Sequence, residues 1–288
     1  MPSGRAELVA MAKAIYSRFG EVEVTDRAAA QTYYSILSLF PALLVVVSAL
    51  GLLGQYPETY QSIIDALRDA APGTAVDAID SALRDALRQR GQAGILLVVG
   101  LALALYAASG AMGVAMRSLE LINRAEHGRS FFPNLGVRLG LTVLVALLIV
   151  IAFLAVVVAG PLFGQIAEAA GFPGVIKGLV GYLRWPIGAA ALLAAFAIVY
   201  ALGPRRPARP GDRSLRSVLP GAAAGTALWF AGSLLFTAYV ANFGSYDKTY
   251  GTLGAVIVLL IWLWLGNMAF LLGALFNAER YREAEEAR

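Results

Sequence analysis

Six stretches of this chain contain no Asp, Glu, Lys or Arg: residues 28–57, 91–116, 139–167, 185–204, 217–246 and 249–278. Each holds 20 to 30 residues. A helix rising 1.5 Å per residue needs about 20 apolar residues to cross the hydrocarbon of a bilayer. In lipid the backbone must satisfy its own hydrogen bonds, so a spanning segment is a helix or a strand of a closed barrel. Barrel strands show as alternating segments of about ten residues, a pattern this sequence lacks. The expected fold is all-α: six transmembrane helices in one bundle, over 28–55, 93–116, 139–163, 180–203, 218–242 and 251–276, with a cytoplasmic tail at 277–288.

Composition closes the alternatives. Of the 288 residues, 59% are hydrophobic and 15% charged, against about 45–50% and about 25% in soluble domains. That much apolar surface has no single aqueous core to hide in. The absence of cysteine removes a disulfide framework and thiolate chemistry. A lone histidine, His127, leaves little for a His-rich metal site or a Ser-His-Asp arrangement. No catalytic residue, metal or cofactor is assigned, the expected role is not enzymatic, and no nucleic-acid partner is expected.

Lysine and arginine set the orientation. Sixteen lie in the amino tail, the second and fourth connections and the carboxyl tail; seven lie in the alternate connections. Both termini are therefore expected in the cytoplasm of a bacterial cell, with the protein multi-pass in the inner membrane. Residues 6–19 carry Leu8, Met11, Ile15 and Phe19 at helical spacing, which suits either an interfacial helix beside anionic lipid or a short helix packed on the bundle. The connection 58–90 reads as two helical segments broken at Pro72-Gly73, a hairpin on the outer side between helices 1 and 2.

Polar groups inside the spans are few. Gln31, Tyr34 and Ser38 fall at i, i+3 and i+7 of the first span, and Pro41 frees the carbonyl of Leu37. They form either a lined vestibule at a bend or a set of interhelical hydrogen bonds. Asn267 lies near the middle of the last span beside Trp262 and Trp264, where an amide needs a partner. Tyr246 and Tyr250 flank the turn into that span, as aromatic belts do. Together Gln31, Tyr34, Ser38, Pro41, Asn267, Tyr246 and Tyr250 are the candidate substrate path. Pro220, Gly221 and Gly225 open the fifth span with small residues four apart, a helix-packing pattern. Arg117, Arg124, Arg129 and Arg138, in the second connection, either gather anionic head groups or only fix topology.

Four segments in order resemble the YihY/BrkB family of bacterial inner-membrane proteins. Ala28-Ala29-Ala30-Gln31-Thr32-Tyr33-Tyr34-Ser35-Ile36-Leu37-Ser38-Leu39-Phe40-Pro41 is similar to its AxAYYxxLSLFP signature, with Gln31-Thr32 where small apolar residues are common. Ser118-Leu119-Glu120-Leu121-Ile122-Asn123-Arg124 resembles its cytoplasmic asparagine motif. Pro220-Gly221 and the run from Tyr250-Gly251-Thr252-Leu253-Gly254-Ala255 through Trp262 to Leu272-Gly273-Ala274 resemble its last two helices. The family's Gly-Ala-Glu reads Gly273-Ala274-Leu275 here, so no carboxylate role is carried over to that position. The resemblance covers about residues 10–282. It implies an envelope protein of a family with one branch named for virulence, another linked to lipid or lipopolysaccharide traffic, and an old ribonuclease BN label. The expected function is handling of lipid-like anionic envelope substrates. Its partners would be membrane lipids, including an anionic lipid or lipopolysaccharide precursor, with a homo-oligomer compatible. The alternatives are a non-transporting envelope scaffold and a membrane-associated ribonuclease.

Overall fold

A computed structural model describes residues 4–52, 93–125, 130–153, 174–204, 215–242 and 246–286. The outer hairpin expected over 58–90, together with His127 and Arg129, lies outside the described residues. Seven helices are present among the described residues: α1 (Gly4–Glu21), α2 (Val24–Leu52), α3 (Ala93–Ile122), α4 (Phe131–Phe153), α5 (Gly174–Leu202), α6 (Leu215–Asn242) and α7 (Tyr246–Glu286). No strand occurs among them.

Among the described residues, four segments are long and apolar enough to cross a membrane: Val98–Ile122, Phe131–Ile149, Leu215–Val240 and Val256–Glu283. They lie in α3, α4, α6 and α7, while α2 and α5 overlap the first and fourth charge-free stretches. Their side chains face outward to a degree that water would not permit. Only 11% of the α4 window is buried, and Leu101, Leu147, Ile149, Leu234 and Leu235 are exposed. This many exposed large apolar side chains on helices of such length make a surface suited to a lipid solvent.

The helices overrun the charge-free stretches. α3 continues past Arg117 and Glu120 to Ile122, α4 starts eight residues before Leu139, and α7 carries on through the expected tail to Glu286. Charge ends an apolar run, but a helix ends where its backbone hydrogen bonds end. At α3 that point is visible. Arg124 takes a left-handed conformation (φ 47°), its N–H donates to Leu121, and the Ala125 N–H donates to Glu120. This paired closure satisfies two of the orphan carbonyls of the last turn. Glu23 (φ 52°) ends α1 with the same backbone handedness.

The chain forms two compact units. The first comprises residues 1–27, 112–230 and 268–288; the second comprises 28–111 and 231–267. The core of the first is built on Met116, Leu119, Ile122, Leu271 and Leu275, all nearly fully buried. Here α6 and α7 approach backbone to backbone. A Cβ at Gly273 would stand 2.5 Å from the Gly221 carbonyl oxygen and 3.0 Å from the Gly225 Cα. The Tyr200 hydroxyl, buried with its ring against Phe270, donates to the Phe270 carbonyl. Pro220 deprives the start of α6 of a donor. The Asn277 side chain braces that turn by accepting from the Gly221 N–H at 2.8 Å and donating to the Val218 carbonyl at 2.9 Å.

In the second unit Tyr34 lies edge-on to Tyr33 and fills the space in which a side chain at Gly110 would sit. Trp262 donates to Ser233 at 3.2 Å.

Candidate functional site

The polar residues of the first charge-free stretch are dispersed over different partners. Ser35 donates to the Gln31 carbonyl at 2.9 Å and Ser38 to the Ser35 carbonyl at 2.7 Å. Both hydroxyls are turned onto their own helix. Gln31 is buried, and its Nε2 has no hydrogen-bond acceptor. Pro41 sits inside α2, which runs on to Leu52. Asn267 donates to the Thr32 hydroxyl at 3.0 Å, and Thr32 donates to the Ala28 carbonyl. The mid-span amide thus has a neighbouring helix as its partner. Tyr246 and Tyr250 belong to the first turns of α7; their side chains lie outside the described residues.

Two of the four arginines from the second connection converge within the first unit. α3 presents Gly113, Met116, Arg117 and Glu120 on one face, at i, i+3, i+4 and i+7, and α4 presents Asn134 and Arg138 one turn apart. These six residues line a cavity of about 100 Å³. Both arginines come close to Gly113. A Cβ built there would lie 3.2 Å from Arg138 Nη1 and 3.4 Å from Arg117 Nη1. The two guanidiniums therefore lie within about 7 Å of each other, the limit set by those two distances. Met116 forms a buried apolar wall. The Asn134 Oδ1 is buried and accepts no hydrogen bond. Arg124 is at the left-handed close of α3 and does not line the cavity.

Two guanidiniums converging beside a glycine repel each other unless negative charge stands between or beside them. Glu120 contributes one carboxylate to the wall. Planar five-donor groups of this kind recognise phosphate or carboxylate through paired hydrogen bonds. Residue spacing carried part of this signal: 113, 116, 117 and 120 share a helix face, and 134 and 138 share another. Gly113 and Asn134 carried no chemical signal by themselves.

A second charged cluster ties the ends of three helices within the same unit. Arg18 of α1 donates to Glu279 of α7 at 3.0 Å and to the Ile122 carbonyl of α3 at 3.0 Å. Glu279 also meets Arg282 at 3.2 Å. Among the described residues no three His, Cys, Asp or Glu side chains gather as a metal-binding set.

Comparison with known proteins gives these features a family context. The chain is 31% identical over 267 residues to the ribonuclease-like protein YfkH of Bacillus subtilis (strain 168), covering 92% of this chain and 93% of YfkH. It is 28% identical over 269 residues to a UPF0761 membrane protein of Alkalilimnicola ehrlichii, covering 91% of this chain and 56% of that protein. It is 26% identical over 277 residues to the UPF0761 membrane protein XAC0937 of Xanthomonas axonopodis pv. citri, covering 94% and 61%. The chain thus spans little more than half the length of these two UPF0761 relatives. No solved structure matches it. The family model for virulence factor BrkB matches residues 15–288, a range that takes in the Arg18–Glu279 pair, the arginine cavity and the closely packed α6 and α7. With its lipid-suited helices, the chain belongs to the virulence factor BrkB family of membrane proteins.

Proposed function

We propose that this protein crosses the bacterial inner membrane six times, with both termini in the cytoplasm, and binds and moves a lipid-like anionic amphiphile without acting as an enzyme. The observation that carries this reading is the convergence of Arg117 and Arg138 beside Gly113, around a cavity at the polar ends of two apolar helices. A head group held there has its acyl chains in reach of the exposed apolar faces of those helices, so one molecule meets both a charged seat and an oily flank. The sixteen-to-seven distribution of Lys and Arg supports the cavity's placement on the cytoplasmic side, where anionic head groups are gathered. α2 and α5, over the first and fourth charge-free stretches, supply the fifth and sixth crossings.

Purified protein in liposomes, with a fluorescent anionic phospholipid and a membrane-impermeant quencher, tests the proposal. The expected result is lipid exchange between leaflets faster than in protein-free vesicles, and lost when Arg117 and Arg138 are both changed to Gln. Exchange no faster than in empty vesicles overturns the transport reading. Alkaline-phosphatase fusions active at either terminus overturn the topology.

A further inference from the structure

We infer that α1 is a releasable strap. Arg18 ties it across the last turn of α3 and the carboxyl-terminal part of α7, and it leaves them while the helices beneath stay folded. Its release does not depend on what the arginine cavity holds.

The tie is one side chain. Arg18 Nη1 donates to Glu279 Oε1 of α7 and Nη2 to the Ile122 carbonyl of α3, each at 3.0 Å. Elsewhere α1 is thinly attached. Over residues 9–21 only Met11 and Arg18 are buried, while Val9 and Tyr16 are exposed. In α7, by contrast, nine of the eleven residues 269–279 are buried. A helix with so little buried apolar surface gains little from packing and lies at the low-stability end of a structure.

Breaking a buried ion pair is costly because it strands a charge. Here each charge has a second partner on its own helix, three residues on. Arg18 Nε is 3.7 Å from Glu21 Oε2, and Arg282 Nη1 is 3.2 Å from Glu279 Oε2. The side chains of Glu21 and Arg282 are 57% and 45% exposed, so both reach water. When α1 leaves, Arg18 goes out with Glu21 and Glu279 stays with Arg282. Neither charge is left bare. Arg18 Nε, buried without an acceptor in the docked position, gains water.

The joint to α2 is pinned. Val22 and Val24 are buried on either side of the left-handed Glu23, and Arg27 Nε donates to the Val22 carbonyl at 2.7 Å. Bending therefore falls between Arg18 and Val22, where Gly20 stands. A Cβ at Gly20 would meet nothing, so packing does not call for glycine there, and glycine weakens a helix relative to alanine. Release frees the last turn of α3, five residues beyond Arg117, from its link to α7.

The test is thiol labelling of the full chain in detergent, which has no background because the sequence lacks cysteine. One cysteine goes on the buried face of α1, Met11→Cys, and one in the core of the same unit, Val199→Cys; both positions are buried. A water-soluble maleimide should label Met11→Cys about tenfold faster than Val199→Cys or more, since local release precedes unfolding. Adding Arg18→Met should speed labelling of Met11→Cys by about another tenfold and leave Val199→Cys within about twofold. Arg18→Lys keeps the charge and loses the planar fork; as the milder variant it should move Met11→Cys the same way. Spin labels at two exposed positions, Lys13→Cys and Glu283→Cys, give the second measurement, in which a longer distance gains weight on adding Arg18→Met. Equal labelling at the two cysteines with Arg18 in place overturns the strap, because α1 then leaves only when the core opens. Equal acceleration of both by Arg18→Met also overturns it, and so does an unchanged distance distribution.

Discussion

The guanidinium of Arg18 and the carboxylate of Glu279 meet at 3.0 Å across 261 residues of sequence, with side chains only 6% and 4% exposed. Removing two charges from water is expensive, and their attraction offsets this only while both are present and hydrogen-bonded. Here the Ile122 carbonyl and Arg282 complete the arrangement. The Ile122 carbonyl is in the last turn of α3, where a cation also meets the negative end of the helix dipole. Glu279→Leu should cost about 3–5 kcal/mol of stability, because it removes the carboxylate from the buried Arg18; Arg18→Met should cost less, because Arg282 stays 3.2 Å from Glu279. The double variant should recover most of that loss. Thermal unfolding in detergent checks this, and a double variant as unstable as the worse single one refutes it.

Two glycines of α6 give an internal contrast. Gly221 faces the backbone of α7, and a Cβ there runs into the Gly273 carbonyl and the Asn277 amide. Neither can yield without breaking the brace between Asn277 and the Val218–Gly221 turn. Gly221→Ala should destabilise by about 1–3 kcal/mol, as over-packing does. Gly232 has open space around it. Gly232→Ala should be neutral or gain up to about 1 kcal/mol from helix propensity. Parallel unfolding curves for the two variants decide the matter; equal effects would show that α6 and α7 are not in close contact at Gly221.

The helices themselves were legible because a bilayer leaves few options to charge-free runs of 20 to 30 residues. Their ends were not. The last expected span closed at residue 276 and left Asn277 and Glu279 in a cytoplasmic tail, whereas α7 continues and buries both. Composition cannot see that Asn277 has the turn after Pro220 to repair, or that Arg18 arrives from the other end of the chain. The arginines of the second connection could be grouped by the segment they share, but the approach of Arg117 and Arg138 to Gly113 is a tertiary relationship that spacing does not display. The hydroxyls of Ser35 and Ser38 had a local option, the carbonyl one turn back, which a helical wheel does not display.

Asn267 and Thr32 form a bond between helices in the second unit. Such bonds average about 0.6 kcal/mol in membrane proteins. A double-mutant cycle on Asn267→Leu and Thr32→Val should return a coupling of that order. The same variants separate two roles for Asn267. If it only joins helices, lipid exchange tracks the small stability loss; a collapse of exchange at unchanged stability would place it on a transport path.

Gln31 is the converse case, a buried amide whose Nε2 finds no acceptor. An unpaired buried donor costs about 1–3 kcal/mol, and methionine fills nearly the same volume without a donor. Gln31→Met should therefore leave stability unchanged or raise it. A loss of more than about 1 kcal/mol in thermal unfolding, the net worth of one hydrogen bond, would mean that the amide has a partner.

Gly113 makes the sharpest separation between folding and binding. A Cβ at this position meets Arg138 Cδ and Nη1 at 3.2 Å and Arg117 Nη1 at 3.4 Å. All three atoms belong to long flexible side chains, so the fold can absorb the methyl group. Helix propensity even favours alanine by about 1 kcal/mol. The cost falls on the geometry of the two guanidiniums, whose paired donors need a fixed spacing to grip one phosphate. Gly113→Ala should thus unfold at or slightly above the wild-type temperature while binding anionic lipid several-fold more weakly. Arg117→Lys should give a similar loss, since it keeps the charge and removes the planar fork. Unaltered binding in both variants would show that the arginines act only as diffuse positive charge.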